Sequence, residues 1–135
     1  MTEELQCQHG IYLVKPYGQL FANGNITSFV KTCKIETAGS KFYVCSGSEV
    51  YGIIEILECQ EVDTEGFNRL FAEHRVSDFY RKIWWGKVEK LYNHKFKTLQ
   101  VFKTPIPYKY RNSKIGIVEH ITLNGVNGKE ESQTV

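Results

Sequence analysis

The sequence contains no long apolar run. No stretch approaches the ~20 apolar residues that span a bilayer. The first residues, MTEELQCQHG, lack the basic segment and the apolar segment of a secretory signal. We therefore expect an intracellular, cytoplasmic protein with no membrane partner.

Motifs for metals and for common catalytic sites are also absent. The four cysteines (Cys7, Cys33, Cys45 and Cys59) form no C-x-x-C pair, and the four histidines show no H-x₃₋₅-H spacing. A zinc site is therefore not expected. The chain has no phosphate-loop signature and no nucleophile elbow. We expect no metal and no cofactor.

What is present is the composition of one folded domain. The 135 residues are 41% hydrophobic and 13% aromatic, with only three prolines. A chain of this size buries about two thirds of its unfolded surface without disulfides or metals. We predict a flexible N-terminus over residues 1–10, a single domain over 11–123, and a flexible C-terminal tail over 124–135.

The net charge of +2 conceals an uneven distribution. From Glu49 to Phe79 there are eight acidic and two basic residues, a balance of −6. From Tyr80 to Ile115 there are ten basic residues and one acidic residue, a balance of +9. This asymmetry predicts a bipolar surface whose basic side meets a polyanion. The alternative is a solvated face without a partner.

The patterns along the chain predict an α+β fold. Alternating apolar residues, helix caps and turn signals give the element boundaries. The predicted elements are strand Ile11–Val14, helix Tyr17–Phe21, strand Ile26–Val30, a hairpin of Lys41–Cys45 and Val50–Glu58, helices Glu65–Glu73 and Asp78–Trp85, strand Leu91–Val101 with a bulge near Thr98–Leu99, and strand Lys114–Leu123. Thr104–Tyr108, with two prolines, is expected to be extended but not a central strand.

These elements favour a small β-barrel of five to six mostly antiparallel strands. One short N-terminal helix and a mid-chain helix pair complete it. In the second helix of that pair, Phe79, Ile83 and Trp84 form the apolar side. Trp84 and Trp85 lie among Arg81, Lys82 and Lys87, an arrangement that suits base stacking beside a phosphate contact. The alternative is that one tryptophan fills the barrel and the other covers it.

Several segments resemble the ASCH domain family of the PUA-like superfamily, most of all its small single-domain archaeal, phage and viral members. The resemblance covers residues 11–121. It is carried by Lys15-Pro16-Tyr17-Gly18, Asn23-Gly24, Tyr51-Gly52-Ile53-Ile54-Glu55-Ile56, Glu89-Lys90-Leu91-Tyr92 and Phe102-x-x-Pro105-Ile106. It implies a β-barrel with a cleft beside the first helix that suits RNA or nucleic-acid bases.

The chain departs from the family at its marker motif, G-x-K-x-x-E-x-R. Gly24 matches the glycine, but the lysine position is Ile26, the acidic or threonine position is Phe29, and the arginine position is Lys31. Some relatives hydrolyse the amide of N4-acetylcytidine with that lysine, the threonine and a later glutamate. Since Ile26 and Phe29 supply neither an amine nor a hydroxyl, the resemblance does not imply that this catalysis is retained.

The sequence thus favours a non-catalytic nucleic-acid-binding module, with RNA preferred to DNA. The residues expected to bind nucleic acid are Lys15, Tyr17, Lys31, Lys34, Trp84, Trp85, Lys87, Lys95 and Lys97. One alternative is a small amidohydrolase or ribonuclease that uses Thr27, Lys31 and Glu73. The other is a protein-interaction domain whose acidic face, Glu49–Asp78, meets a basic partner.

Overall fold

The computed structural model describes residues 9–35, 38–114, 117–119 and 121–123. The predicted flexible ends therefore lie outside the described residues, except for His9 and Gly10. Within the described part the chain folds as four helices and eight strands. This confirms the α+β class.

The helices lie close to their predicted positions. They are α1 (Tyr17–Ala22), α2 (Thr64–Arg69), α3 (Phe71–His74) and α4 (Asp78–Trp85). The predicted helix Glu65–Glu73 is divided at Leu70, whose backbone (φ −96°, ψ 15°) departs from helical geometry. The predicted caps form, since the Asp63 carboxylate accepts a hydrogen bond from Gly66 N (2.8 Å) and Ser77 Oγ accepts one from Tyr80 N (3.3 Å).

The strands form one mixed sheet, mostly antiparallel. They are β1 (Gly10–Tyr12), β2 (Ser28–Lys31), β3 (Lys41–Ser46), β4 (Glu49–Val62), β5 (Leu91–Lys109), β6 (Asn112–Lys114), β7 (Ile117–Glu119) and β8 (Thr122–Leu123). β1 and β3 are parallel, and the other described pairs are antiparallel. The predicted closing strand Lys114–Leu123 is replaced by short segments, and Ile115 within it lies outside the described residues.

The sheet is not closed into the expected barrel. Its described strands follow the order β2-β5-β4-β3-β1-β7-β6, with β8 paired to β5. Leu13 N still donates to Cys45 O of β3 (2.8 Å), but the chain then turns, with Tyr17 N donating to Val14 O (2.8 Å). Because the segment after β1 turns into α1 instead of pairing with β2, a gap remains beside β2.

Strand β5 is longer than predicted and continues through both prolines. The bulge expected near Thr98–Leu99 is confirmed, because the β4–β5 register shifts where Ile53 pairs with Gln100 and Ile54 with Thr98. Further on, Gly52 pairs with Val101 and Val50 with Ile106. Four residues of β5 therefore lie opposite one residue of β4, so Pro105 is not needed as a ladder donor. The prediction that Thr104–Tyr108 lies outside the central strands was wrong, because Ile106 and Pro107 pair with Val50 and Glu49 of β4 beyond this bulge.

Helix α1 lies close against the β3–β4 hairpin through two glycines. A Cβ added to Gly18 would lie 2.5 Å from Ser46 Cβ, and one added to Gly52 would lie 2.8 Å from Cε2 of Phe21 on α1. Phe21 of α1 packs at Gly52 and is itself buried in the core. The close seating of α1 determines where Tyr17, at the start of this helix, is held.

The core is formed by three clusters of buried residues. One, with Phe21, Ile26, Phe29 and Phe96, lies between α1 and the sheet. A second is formed by β3, β4 and β5, and a third joins Val30 and Leu91 to the helical segment around Phe67. Trp85 packs against the third cluster but is only partly buried, and Trp84 is exposed, so neither tryptophan fills the core.

Candidate functional site

A cavity of about 430 Å³ lies at the gap where the sheet fails to close. This volume is within the range of small-molecule sites. Its walls come from the β1–α1 segment, from β2 and its flanks, from α3 and its C-terminal side, and from α4. The lining residues are Tyr12, Leu13, Val14, Tyr17, Ile26, Ser28, Phe29, Val30, Lys31, Thr32, His74, Val76, Trp84 and Trp85.

Aromatic rings form one part of the cavity wall. Tyr17 meets Trp84 edge to face, with ring centroids 6.1 Å apart, and Trp84 meets Trp85 in the same way at 5.7 Å. The Tyr17 hydroxyl donates to the backbone oxygen of Arg75 (2.7 Å). Burial, and secondarily the nearby Tyr80 hydroxyl, raises the pKa of Tyr17, so this phenol stays neutral at physiological pH. The wall is therefore a set of uncharged rings in fixed orientations.

Two polar side chains interrupt the apolar lining on β2. The Lys31 ammonium donates a hydrogen bond to the backbone oxygen of Tyr12. Burial lowers the pKa of Lys31 to about 8, so the amine remains mostly protonated at neutral pH. Ser28 is fully buried, and its hydroxyl has no hydrogen-bond partner among the described residues. A bound polar group would find an ammonium and a hydroxyl in otherwise apolar surroundings.

His74 also lines the cavity, but the protein itself occupies both of its ring nitrogens. Val76 N donates to Nδ1 (3.0 Å), so Nε2 carries the proton and donates to Phe67 O (2.9 Å). The ring also stacks on Phe67, with centroids 4.3 Å apart. Burial lowers the pKa of His74 and keeps the ring neutral. These contacts make His74 a structural residue that holds α3 in place.

The structure brings together four of the predicted nucleic-acid contacts. Tyr17, Lys31, Trp84 and Trp85 all line the cavity. The remaining lysines of the prediction do not line it: Lys15, Lys34, Lys87 and Lys97 are exposed, and Lys95 is partly buried. The aliphatic part of Lys15 lies over Gly47, away from the cavity lining.

Strand pairing balances part of the predicted charge asymmetry. The antiparallel β4–β5 register places Glu55 opposite Lys97 and Glu58 opposite Lys95. Lys95 Nζ lies 3.7 Å from Glu58 Oε2, and Lys90 Nζ lies 3.6 Å from Glu61 Oε2. The acidic and basic stretches of the sequence therefore lie side by side along these strands, and they are not fully separated into two faces as the sequence suggested.

The residues considered for catalysis do not converge on the cavity. Only Lys31 lines it; Thr27 is exposed and Glu73 is partly buried outside the lining. Thr27 and Glu73 meet through their backbones, where Thr27 N donates to Glu73 O (3.0 Å). Ile26 and Phe29 are core residues that also form part of the cavity wall. They make that part of the wall apolar, and they do not fill the cavity.

Sequence reasoning missed Tyr12, Ser28 and His74 as cavity residues. Ser28 directly precedes the apolar Phe29-Val30 pair, and its isolation within a buried strand was a weak signal. Tyr12 had no such signal. His74 was marked only as a possible acid/base partner of Glu73 at a helix end, because the places of both residues depend on how β1 and α3 approach β2. Within the described residues no group of three metal-ligating side chains converges, and no helix there is long and apolar enough to cross a membrane.

Comparison with known proteins supports the fold. No protein-family model matches the chain, and no curated protein sequence matches it either. Among solved structures, the ASCH protein of Zymomonas mobilis is similar at 14% identity and a TM-score of 0.65, covering 73% of this chain and 72% of that one. A serine-to-alanine mutant of the same protein gives the same values. A tyrosine-to-phenylalanine mutant gives 15% identity and a TM-score of 0.62. The chain therefore has the fold of an ASCH domain.

Proposed function

We propose that this chain is a non-catalytic nucleic-acid-binding module that takes one unpaired base, of RNA in preference to DNA, into the cavity beside β2. The observation that carries the proposal is the composition of that cavity. Rings of Tyr17 and Trp84 offer stacking surfaces, while Lys31 and Ser28 offer hydrogen bonds within an apolar enclosure. Sites that bind flat heterocycles combine these two features.

The hydrogen-bonding groups suit the edge of a base. One N–H of the Lys31 ammonium is bonded to Tyr12 O, and an ammonium group has three. The Ser28 hydroxyl both donates and accepts. Together they provide donors for a ring nitrogen or an exocyclic oxygen and an acceptor for an exocyclic amine. An unpaired base leaves groups of these kinds free on its Watson–Crick edge, whereas a paired base has that edge engaged.

The shape of the site favours a single strand over a duplex. A cavity of this size takes one splayed-out base and not a duplex, and RNA loops and bulges display such bases. Lys87 and Lys34, both exposed, are available for phosphates outside the cavity. We therefore expect single strands to bind more tightly than duplexes. The proposed preference for RNA over DNA of the same sequence requires a contact to the 2′-hydroxyl, and the comparison below tests it.

The test is fluorescence anisotropy with a labelled eight-nucleotide RNA, compared with the matching DNA and with duplex RNA. Trp84→Leu removes the ring but keeps apolar volume. It should weaken binding about 5- to 150-fold, the effect of ~1–3 kcal/mol per stacked base. Leu57→Ala, an exposed change outside the cavity lining, is the control and should have no effect. Equal affinities for wild type and Trp84→Leu, or a salt dependence near zero, would contradict the proposal.

The amidohydrolase alternative depends on the Lys31 amine alone, because Thr27 and Glu73 lie outside the cavity lining. An assay with N4-acetylcytidine decides it. Turnover that is lost in Lys31→Met would favour hydrolysis. No turnover by the wild type, together with nucleoside binding, would favour the binding module.

The protein-interaction alternative depends on the acidic face. Glu58 and Glu61 already lie within 4 Å of lysines of the same chain, and Asp63 caps α2. Reversing the charges of Glu58 and Glu61 and testing retention of a basic partner would detect such a role. Retention that is insensitive to this reversal would count against it.

A further inference from the structure

Helix α4 is turned with its apolar side toward solvent. The sequence assigns Phe79, Ile83 and Trp84 to one apolar side, yet Phe79 is 65% exposed and Ile83 59% exposed. The residue that α4 buries is Arg81, at 7% exposure. Large apolar side chains on one exposed face mark an interaction surface more often than a solvated one.

The arginine that α4 buries is paired within the helix, and the helix is joined to α2 by a hydrogen bond from Asn68 Nδ2 to Asp78 Oδ1 (3.3 Å). Arg81 donates from its guanidinium to Asp78 Oδ1, with Nε at 2.9 Å and the terminal nitrogen at 2.7 Å. The Asp78 carboxylate thus balances the positive charge of the Arg81 guanidinium, which α4 buries. Trp85 packs beside it, edge to face with Phe67 at 6.0 Å. The outward position of the apolar side is thus part of the packed structure of α4.

The exposed side continues the cavity wall as a row of aromatic rings. From Trp85 the row passes to Trp84 (5.7 Å), then to Tyr80 (5.2 Å, nearly parallel at 27°) and then to Phe79 (5.3 Å). We call these four residues the aromatic row. Trp84 and Trp85 line the cavity, while Tyr80 and Phe79 lie outside its lining and are exposed. The row leads from the cavity into solvent.

The charge around the row is positive. Asp78 is approached by two cations, since Lys82 Nζ lies 3.5 Å from its Oδ2 and Arg81 binds its Oδ1. Helix α4 contains one acidic and two basic residues, which gives it a net charge of +1. Lys87, which is exposed, follows the helix. Exposed rings with positive charge nearby complement a single nucleic-acid strand, whose bases stack and whose backbone is anionic.

We infer that the aromatic row is a second subsite, on which the nucleotide next to the cavity-bound base stacks against Tyr80 and Phe79. The inference rests on the proposed function, and it specifies the ligand as a single strand of at least two nucleotides. A free nucleoside would occupy the cavity alone. A strand would add one stacking contact on the outer ring faces and one phosphate contact near the helix.

The experiment compares a mononucleotide with a tetranucleotide of the same RNA sequence by isothermal titration calorimetry on the full chain. We expect the tetranucleotide to bind about 5- to 100-fold more tightly. Phe79→Leu and Tyr80→Leu remove rings but keep apolar volume, and they should lower the ratio of the two affinities. Ile83→Ala is the matched control, because it removes exposed apolar area from the same helix without removing a ring, and it should retain the ratio.

The outcomes separate this inference from the proposed function. Equal affinities of the two ligands would overturn the second subsite but leave base binding in the cavity standing. Failure of both ligands to bind would overturn both. If Ile83→Ala and Phe79→Leu instead abolish self-association in sedimentation and leave the affinity ratio unchanged, the exposed side is a protein interface and the inference is wrong.

Discussion

The Lys31 ammonium binds the backbone oxygen of Tyr12 across the gap between β2 and the end of β1. This hydrogen bond links the two sides of the sheet at the place where the sheet remains open. It also holds a cation in an otherwise largely apolar cavity. The relationship connects the fold to the proposed function, because the same opening forms the cavity and positions its charged group.

The titration of Lys31 should control ligand affinity above neutral pH. Burial lowers its pKa to about 8, so the ammonium is lost as the pH rises through that value. We expect the affinity for RNA composed of adenosine and cytidine, whose bases do not titrate here, to fall between pH 7 and 9. Lys31→Met should bind weakly with no such fall, while Lys34→Met should retain it. A parallel fall in Lys31→Met would assign the effect to another group.

Lys31 should also make the free energy of unfolding depend on pH, because burial disfavours its charged form. Its pKa is about 8 in the folded chain and 10.5 as the ordinary value, so the unfolded chain binds more protons between these values. The contribution of Lys31 to the free energy of unfolding therefore rises with pH over this window. Chemical denaturation of wild type and Lys31→Met at pH 7.5 and 10 should show this difference. A difference that is constant with pH would contradict it.

Ser28→Ala should separate stability from binding. The buried hydroxyl has no described partner, so its removal should leave stability unchanged or raise it by up to ~1–3 kcal/mol. Nucleoside affinity should fall several-fold, which corresponds to one lost hydrogen bond of ~0.5–1.5 kcal/mol. Ser46→Ala is the control, because Ser46 is equally buried and lacks a described partner for its hydroxyl but does not line the cavity. Equal affinity losses in both variants would exclude a contact at Ser28.

Lys87 and Lys95 should contribute unequally to the salt dependence of RNA binding. Lys87 is exposed at the end of α4, whereas Lys95 lies 3.7 Å from Glu58. Lys87→Ala should reduce the log–log salt slope by ~0.7, the value for one phosphate on a single strand. Lys95→Ala should change it less, since Glu58 already balances that charge. Equal changes would show that the β5 lysines contact the strand directly.

His94 should make the protein sensitive to acid. It is fully buried, its Nε2 accepts from Ile35 N (3.0 Å), and it stacks on Phe29 at 4.8 Å. Burial lowers the pKa of His94 to about 4 from its ordinary value of 6.5. As the pH falls below 6.5, His94 is therefore protonated in the unfolded chain while it is still neutral in the folded chain. Stability should decline from pH 6.5 to 4 by on the order of 3 kcal/mol from this residue.

His94→Gln keeps an acceptor for Ile35 N and removes the titration. Urea unfolding at several pH values should give a flatter profile for this variant than for the wild type. Since burial also lowers the pKa of His74, some decline should persist in His94→Gln. The same acid profile in both proteins would show that His94 does not titrate in this range.

Local sequence patterns predicted the helices and the hairpin well. The bounds of α4, Asp78–Trp85, agree with the prediction, because Ser77 and Gly86 flank the helix. The β3–β4 hairpin and the β5 bulge were also predicted from short apolar patterns. The failures were longer-range: the continuation of β5 past Pro105 depends on a register shift against β4. Such a shift cannot be seen from either strand alone.

The candidate site was predicted only in part. Tyr17, Lys31, Trp84 and Trp85 were identified by residue type, and the structure places all four on one cavity. The lysines of β5 were identified in the same way, but Glu58 lies beside Lys95 because antiparallel pairing joins the acidic and basic stretches. A count of charges along the chain carries no information about which strands become neighbours.

The sequence by itself determined the α+β class, the element order and the apolar periodicity of α4, because these depend on local propensity and on caps within a few residues. Only the tertiary structure decided that the sheet stays open and that the cavity forms there. It alone also decided that α4 turns Arg81 inward and Phe79 outward. The physical reason is that periodicity defines the faces of an element, whereas the packing of distant elements determines which face is buried.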